Sequence, residues 1–424
     1  MNRKHLAPAA WLALAGLAFA LGWNLKPQAA DTSVSEKDPF LGTAGLSPLT
    51  ALPESGTTAR THSTGNEAAK SAGGPLTAAR LAALGDFYRN AKGPIERREA
   101  FAELIAGLTP ENAREMRELF AHLPSDNEDF RDFHYAWGRV GGAEAVMNGA
   151  ETREADMGAT MAGWASANPN AAKAWFASLE ANGKTPANQE YLKAGLVHGL
   201  ADANSALATD FVMALGGAGD KRAKEMMSIV AGHLLRSGGT TEAASWAAAL
   251  PAGDLRGHAL FEVARAQVRS DPVAAAEWAS TMARDGNAGS VAYGITMEWG
   301  WRDGPAAVQW LDSLGNAETA SAYGPALGGW TKVDPLAASE YVAAMPPSEG
   351  RDHAIGGMVY TNRWEDPAAA ILWANEISNA DRRNAVLTLA AEAYVRKDPS
   401  NAADWLLTSG LPAETQQRLL GDGK

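Results

Sequence analysis

The chain contains no cysteine. No disulfide can staple it, no thiolate can ligate a metal or act as a nucleophile, and no lipid can be attached through a cysteine. Strand-like alternation is missing as well, and valine and isoleucine are sparse beside alanine and glycine, which excludes a fold built on sheets. There is no excess of positive charge. Its 37 lysines and arginines face 49 acids, a net charge of -12, and three of the cations, Arg3, Lys4 and Lys26, stand in the first 30 residues. An acidic body of this kind suits neither phosphate backbones nor anionic lipid, so nucleic acid is not an expected partner. No His-x-x-x-His or His-Glu-x-x-His spacing and no Gly-x-Ser-x-Gly elbow occurs, and no carboxylate pair is singled out by an apolar setting. No catalytic group, metal or cofactor is nominated.

What is present begins with an export signature. Arg3, Lys4 and His5 precede an apolar run from Leu6 to Trp23, the order of a secretory signal, and Ala18-Phe19-Ala20 offers a small-x-small cleavage site. The run is also near the shortest length that spans a membrane. Residues 1–30 therefore read as a signal peptide or as an N-terminal membrane anchor, with membrane association through residues 6–23 in the second case. Both place the body outside the cytoplasm, in the periplasm or cell envelope. Residues 31–75, rich in Ser, Thr, Gly, Pro and Ala, read as a disordered linker. Helical periodicity starts at Leu76, and residues 76–138 form an N-terminal helical cap, with helices expected over Leu76 to Asn90, Pro94 to Leu108, Pro110 to Leu123 and Glu128 to Arg139.

Residues 139–424 repeat. Asp271-Pro272 is followed by Trp278, Asp303-Gly304-Pro305 by Trp310, Asp334-Pro335 by Tyr341, Asp366-Pro367 by Trp373 and Asp398-Pro399 by Trp405, the aromatic always seven residues after the Asp. Weaker copies set Asn168 before Trp175, Asn204 before Phe211 and Gly239 before Trp246. The aromatics are spaced by 36, 35, 32, 32, 31, 32 and 32 residues, a constancy of offset and period that marks a repeat array. Asp as N-cap and Pro at the first helical position start a helix A at a defined place. Alanines such as Ala274, Ala275 and Ala276 narrow one stripe for close approach, and the Trp with an apolar partner four residues on fills the space beyond. Helix B follows, over roughly Arg256 to Val268, Ala288 to Trp301, Thr319 to Trp330, Arg351 to Trp364 and Arg383 to Val395, with Pro412 to Leu420 as a closing helix. The expected fold is all-α, an α-solenoid of about eight helix pairs of about 32 residues behind the N-terminal cap.

This pattern resembles tetratricopeptide-like helical-hairpin proteins and, over residues 137 to 412, exported bacterial repeat proteins carrying D-P-x-A-A-x-x-W. It departs from the tetratricopeptide consensus in its period of 32 and in lacking W-x-x-L-G-x-x-Y. The resemblance implies a helical-hairpin stack and a tendency to bind proteins or peptides, and it implies no ligand residues.

Remaining motifs are weighed singly. Gly183-Lys184-Thr185 matches the end of a phosphate-binding loop, but the upstream glycine would fall at Ser178 and no strand precedes it, so it reads as a turn. Arg256-Gly257-His258 and Arg351-Asp352-His353 share one register, and Arg383 keeps the arginine. Repetition argues for a structural role, the arginines bridging to carbonyls or acidic turns of an adjacent helix. The tryptophans at the seven-residue offset, and Trp137, Trp164, Trp299 and Trp330 four residues before an N-cap position, recur in register and read as core. Trp301 and Trp364, two residues before an N-cap Asp, are the candidate exposed binding residues. Gly294, Gly328, Gly329, Gly356 and Gly357 inside B helices imply either close helix approach or a groove floor, and Pro325 implies a kink or a late start. The leading functional expectation is a non-enzymatic, extracytoplasmic scaffold for a protein or peptide partner. The alternatives are an enzyme acting on cell-envelope polymers and a structural spacer in an envelope assembly.

Overall fold

The computed structural model describes residues 76–422, apart from 153, 182–188 and 283–286. The expected export segment, the linker and the Gly183-Lys184-Thr185 turn lie outside the described residues. Among the described residues there are 21 α-helices, one short 3-10 helix and no strand, and no helix is long and apolar enough to cross a membrane. Helices pack chiefly on their near neighbours in sequence. The chain divides into two compact units, whose described parts are residues 76–215 and 216–422.

The first unit opens on an aromatic core. Tyr88 and Phe101 both pack edge-on against Phe120, at 5.3 and 5.5 Å, and Phe120 meets Phe133 at 4.9 Å. Pro94 starts its helix as expected, behind Gly93. Pro110 does not. That helix begins at Ala113, because the Thr109 amide donates to Asn112 Oδ1 at 2.9 Å and the Asn112 amide returns to Thr109 Oγ1, so residues 109–112 form a turn of their own. The helix expected to end at Arg139 runs on to Thr152 through a break at Gly142, whose φ of 55° and ψ of -133° are open to glycine.

Each helix pair turns on one residue. Asp334 ends the helix Tyr323–Val333 by donating its amide to the Trp330 carbonyl at 2.8 Å. It starts the helix Pro335–Ala344 by accepting from the Ala338 amide on its carbonyl and from the Ala337 amide on Oδ1, at 3.1 and 3.0 Å. Asp303, Asp366 and Asp398 repeat the arrangement, all with φ between -152° and -138° and ψ between 78° and 86°. Proline immediately after Asp334, Asp366 and Asp398 drives the Asp out of the helical region, so the turn needs no further loop. Asp271 caps in the same way. Before the helix Gly239–Ala249 the cap is Gly238, which makes no side-chain bond.

The core positions differ from the expectation. Four residues after each of the eight register positions, counting from Gly239 and not from the cap Gly238 in the third copy, stands an alanine, from Ala172 to Ala402, and none is more than 2 % exposed. Eight residues after, the side chain is again buried, as in Phe176, Val212, Leu311, Val342 and Leu406. The aromatic at seven is only half-buried in every copy. At 100° per residue it lies about 60° round the helix from the alanine, on the flank of the buried stripe. There it pairs with the ring four residues before the cap: Trp164 with Trp175, Trp299 with Trp310, Trp330 with Tyr341 and Tyr394 with Trp405, at 5.3 to 6.2 Å between ring centres. The inner ring of the first three pairs is buried, as expected. Two aromatic series that look separate in the sequence thus brace one corner. Tyr341 also donates its hydroxyl to Asp312.

Successive B helices meet through glycine. A Cβ on Gly357 would stand 1.9 Å from the Gly324 carbonyl oxygen, one on Gly294 2.7 Å from that of Phe261, and one on Gly329 2.6 Å from the Gly300 backbone. In the first unit Gly195 and Gly199 stand in the same way over the carbonyls of Gly158 and Ala162. Of the two explanations for these glycines, close helix approach is the one seen. Pro325 lies in the first turn of Tyr323–Val333, behind a 3-10 segment Ala317–Ala322, which is the late start that its missing amide favours.

Two neighbouring glycines separate these causes experimentally. A Cβ on Gly356 would touch only Val386 Cγ2, at an ordinary 3.7 Å. Gly356→Ala is expected to raise stability by up to about 1 kcal/mol through helix propensity, whereas Gly357→Ala is expected to lower it by about 1–3 kcal/mol through overpacking. Urea unfolding followed by circular dichroism reads both. Equal effects would refute the packing account.

Candidate functional site

In the unit 216–422 the position two residues before the Asp N-cap is exposed in every copy, and on some B helices the exposed row continues to the positions six and ten residues before it. On the helix Ala288–Trp299 and the turn after it these are Tyr293, Met297 and Trp301, all exposed, spaced by one helical turn each. The next B helix but one, Glu349–Asn362, presents Tyr360 and Trp364 at the corresponding places. Trp301 is 53 % exposed and Trp364 47 %. The structure therefore leaves both candidate residues at the surface, on separate B helices and in one register.

A chain of polar contacts crosses three successive B helices, Ala223–Ser237, Asp254–Ser270 and Ala288–Trp299. Ser228 Oγ lies 2.7 Å from His258 Nε2 and donates to Glu262 Oε1 at 2.9 Å. Arg265 then bridges Glu262 and Glu298, and Arg269 reaches Glu298 at 2.6 Å. Burial works against ionisation of Glu298, but Arg269 and Arg265 prevail and hold its carboxyl below the usual range. Phe261 stacks on His258, meets Tyr293 at 6.2 Å and lies under the Arg265 guanidinium. His258, Phe261 and Tyr293 line one wall of a cleft of about 750 Å³ that also takes in Lys224, Asp254 and Ser290.

A serine beside a histidine invites a nucleophilic reading, and the hydrogen bonding opposes it. A hydroxyl holds one proton. With that proton given to Glu262, His258 Nε2 faces Ser228 as a donor, the reverse of a general base. Glu262 approaches the same nitrogen, at 3.7 Å, not Nδ1, where an orienting carboxylate belongs.

Two of the arginines in the shared register, Arg351 and Arg383, do what repetition suggested. Arg351 donates to the carbonyls of Val342 and Glu376, at 3.3 and 3.2 Å, and Arg383 to that of Ile377 at 2.9 Å. Each closes a free end of an A helix. Asp352, buried, accepts from the amides of Ser378 and Asn379 and so ties one pair to the start of the next B helix. It and Arg382 line a second cleft, of about 540 Å³.

Sequence reasoning missed one cluster. In the first unit Asp156, fully buried, receives Arg117 at 2.7 Å, and His134 Nε2 stands 3.4 Å away while its Nδ1 meets the Phe130 carbonyl. The three residues come from three helices and follow no short spacing, so no local signal marks them. Their burial closes them to any substrate. Asp132 nearby is half-buried, and burial together with Glu128 pushes its carboxyl up to about 6.

No protein-family model, no curated protein and no solved structure matches the chain.

His258 and His353 occupy one register, and burial pushes both imidazoles below their ordinary pKa. Glu262 and Glu349 oppose the shift, while Lys224 and Arg265, and Arg382, add to it. The folded chain therefore binds fewer protons at these sites than the unfolded one. Their contribution to stability is present above about pH 6.5 and is lost as pH falls through the depressed values. The variant His258→Gln/His353→Gln is expected to flatten the fall in urea midpoint between about pH 7 and pH 5.5. An unchanged slope would assign it elsewhere.

Proposed function

We propose that the chain is an extracytoplasmic, non-enzymatic scaffold, a tetratricopeptide-like solenoid of helix pairs whose outward B-helix face holds a protein or peptide partner. The observation that carries this reading is the exposed set Tyr293, Met297, Trp301, Tyr360 and Trp364. Single exposed apolar residues need no explanation, but tryptophans recurring at one register, as Trp301 and Trp364 do, with Tyr293 and Tyr360 exposed on the same two helices, suit a docking surface, since aromatic side chains give large contact area at small entropic cost. The repeat period, the Asp corners and the packing of near-neighbour helices support the stacked architecture. The apolar run at residues 6–23 supports export, whether it is cleaved or kept as an anchor.

The enzyme reading rests on the Ser228 and His258 pair, and the direction of its hydrogen bonds disfavours it. A spacer would have no reason to keep these rings exposed.

Photo-crosslinking at single positions in the full-length chain, in its native cells, tests the scaffold reading. With p-benzoylphenylalanine in place of Tyr360 or Met297, discrete adducts are expected. With the same group in place of Leu336, equally exposed but on an A helix, they are not. Adducts from neither face, or equally from both, would sink the reading.

A further inference from the structure

Outward residues two positions before the N-cap alternate in kind along five consecutive B helices. In order they are Arg269, Trp301, Lys332, Trp364 and Arg396. The last two members of the series meet in space, the Arg396 guanidinium carbon lying 5.2 Å from the centre of the Trp364 ring. Arg363 lies at the same distance from that ring and 4.1 Å from the ring of Tyr360. We propose that this cation and aromatic ladder is the binding surface for an extended acidic peptide segment of the partner. The inference rests on the peptide-binding reading above and specifies its chemistry.

Charge comes first. The protein carries a net charge of -12, yet this register holds three cations and no acid. Arg269 and Lys332 each have one carboxylate partner, Glu298 and Glu365, and remain about half exposed. Among the described residues no carboxylate pairs with Arg363 or Arg396. Their guanidiniums rest on aromatic faces, and although Arg363 gives one N–H to the Tyr360 carbonyl, the fork of five donors leaves others for an incoming carboxylate. A ligand of the same sign as the body is drawn to this stripe and repelled elsewhere, which gives register as well as affinity.

At Trp364 the covered ring face decides between ligand classes. A sugar stacks on an open aromatic face, and the Trp364 ring already has two guanidiniums near its face. A peptide carboxylate instead meets the arginine edge while an aliphatic side chain packs against the free margin of the ring. Spacing completes the match. Neighbouring helices stand about 8–10 Å apart, and a peptide in the extended polyproline II conformation brings every third side chain back to one face after about 9 Å. One step of the ladder therefore takes three residues, and acids and apolar side chains should alternate every third residue.

The test uses the full 424-residue chain and the fluorescein-labelled probe Glu-Gly-Ser-Leu-Gly-Ser-Glu-Gly-Ser-Leu-Gly-Ser-Glu, read by fluorescence anisotropy. Parallel arms use the same peptide with Lys in place of each Glu, and an oligogalacturonate of similar length. The acidic peptide is expected to bind, more weakly as salt is added, and the lysine peptide is not. Trp301→Ala/Trp364→Ala should weaken binding about tenfold or more. Arg269→Glu/Lys332→Glu/Arg396→Glu should abolish it and should bind the lysine peptide instead, an exchange that a loss of folding cannot produce. Circular dichroism melts confirm that these surface variants fold. Acidic-peptide binding that is absent, or unchanged in both variants, overturns the proposal, as does binding of the oligogalacturonate alone. If the ladder fails while crosslinks persist at Tyr360 and Met297, only the ladder is wrong. If the crosslinks fail too, the scaffold reading falls with it.

Discussion

Glycine set against a carbonyl oxygen of the preceding B helix is the contact on which the rest of the structure depends. Gly357 over Gly324, Gly294 over Phe261, and Gly195 and Gly199 over Gly158 and Ala162 leave no room for a side chain between the two backbones. At that distance a B helix can place its larger residues in only two directions. Those four residues before the cap turn inward to the corner with helix A, as Trp299 and Trp330 do. Those two residues before it turn outward. The invariant alanine four residues into helix A answers the same constraint from the other side.

Such glycines cost about 1 kcal/mol each in helix propensity, and short helices are marginal alone. Three features offset this. The Asp corner joins two helices through one residue and satisfies amides on both sides. The ring pair braces that corner, and arginines such as Arg351 and Arg383 close the far end of helix A on its carbonyls. Thr361 shows how a register can change residue without losing the contact. It stands where the copies at Gly163, Gly199 and Gly329 have glycine, and its hydroxyl donates to the Gly328 carbonyl at 3.1 Å.

Function then falls to whatever the packing releases. Because the backbone contacts and the corner are made by repeated residues, the outward positions are free to differ from copy to copy, and they do: Phe261, Arg265 and Arg269 on one B helix, Tyr293, Met297 and Trp301 on the next. Where the copies carry facing opposite charges, as along Ser228, Glu262, Arg265 and Glu298, the face knits itself together. Around Trp364, Arg363 and Arg396 meet rings and no carboxylate among the described residues. The buried Arg117, Asp156 and His134 serve a different end, since removing the arginine would strand a carboxylate without solvent.

Local chemistry was legible in the sequence. An Asp before a Pro specifies a helix start through its own side chain and its neighbour's ring, so the A helices, the corners and the repeat period could be read without coordinates. The exposure of Trp301 and Trp364 followed from their place beside the cap. What could not be read depended on another helix. The half-burial of the ring at the seventh position, the acceptor facing each glycine, the partners of Arg351 and the enclosure of Asp156 are all settled by which backbone arrives alongside. The alternation of Arg269, Trp301, Lys332, Trp364 and Arg396 was present in the sequence from the start. It became a surface only because stacking sets residues about 32 positions apart side by side, a proximity that no local rule encodes.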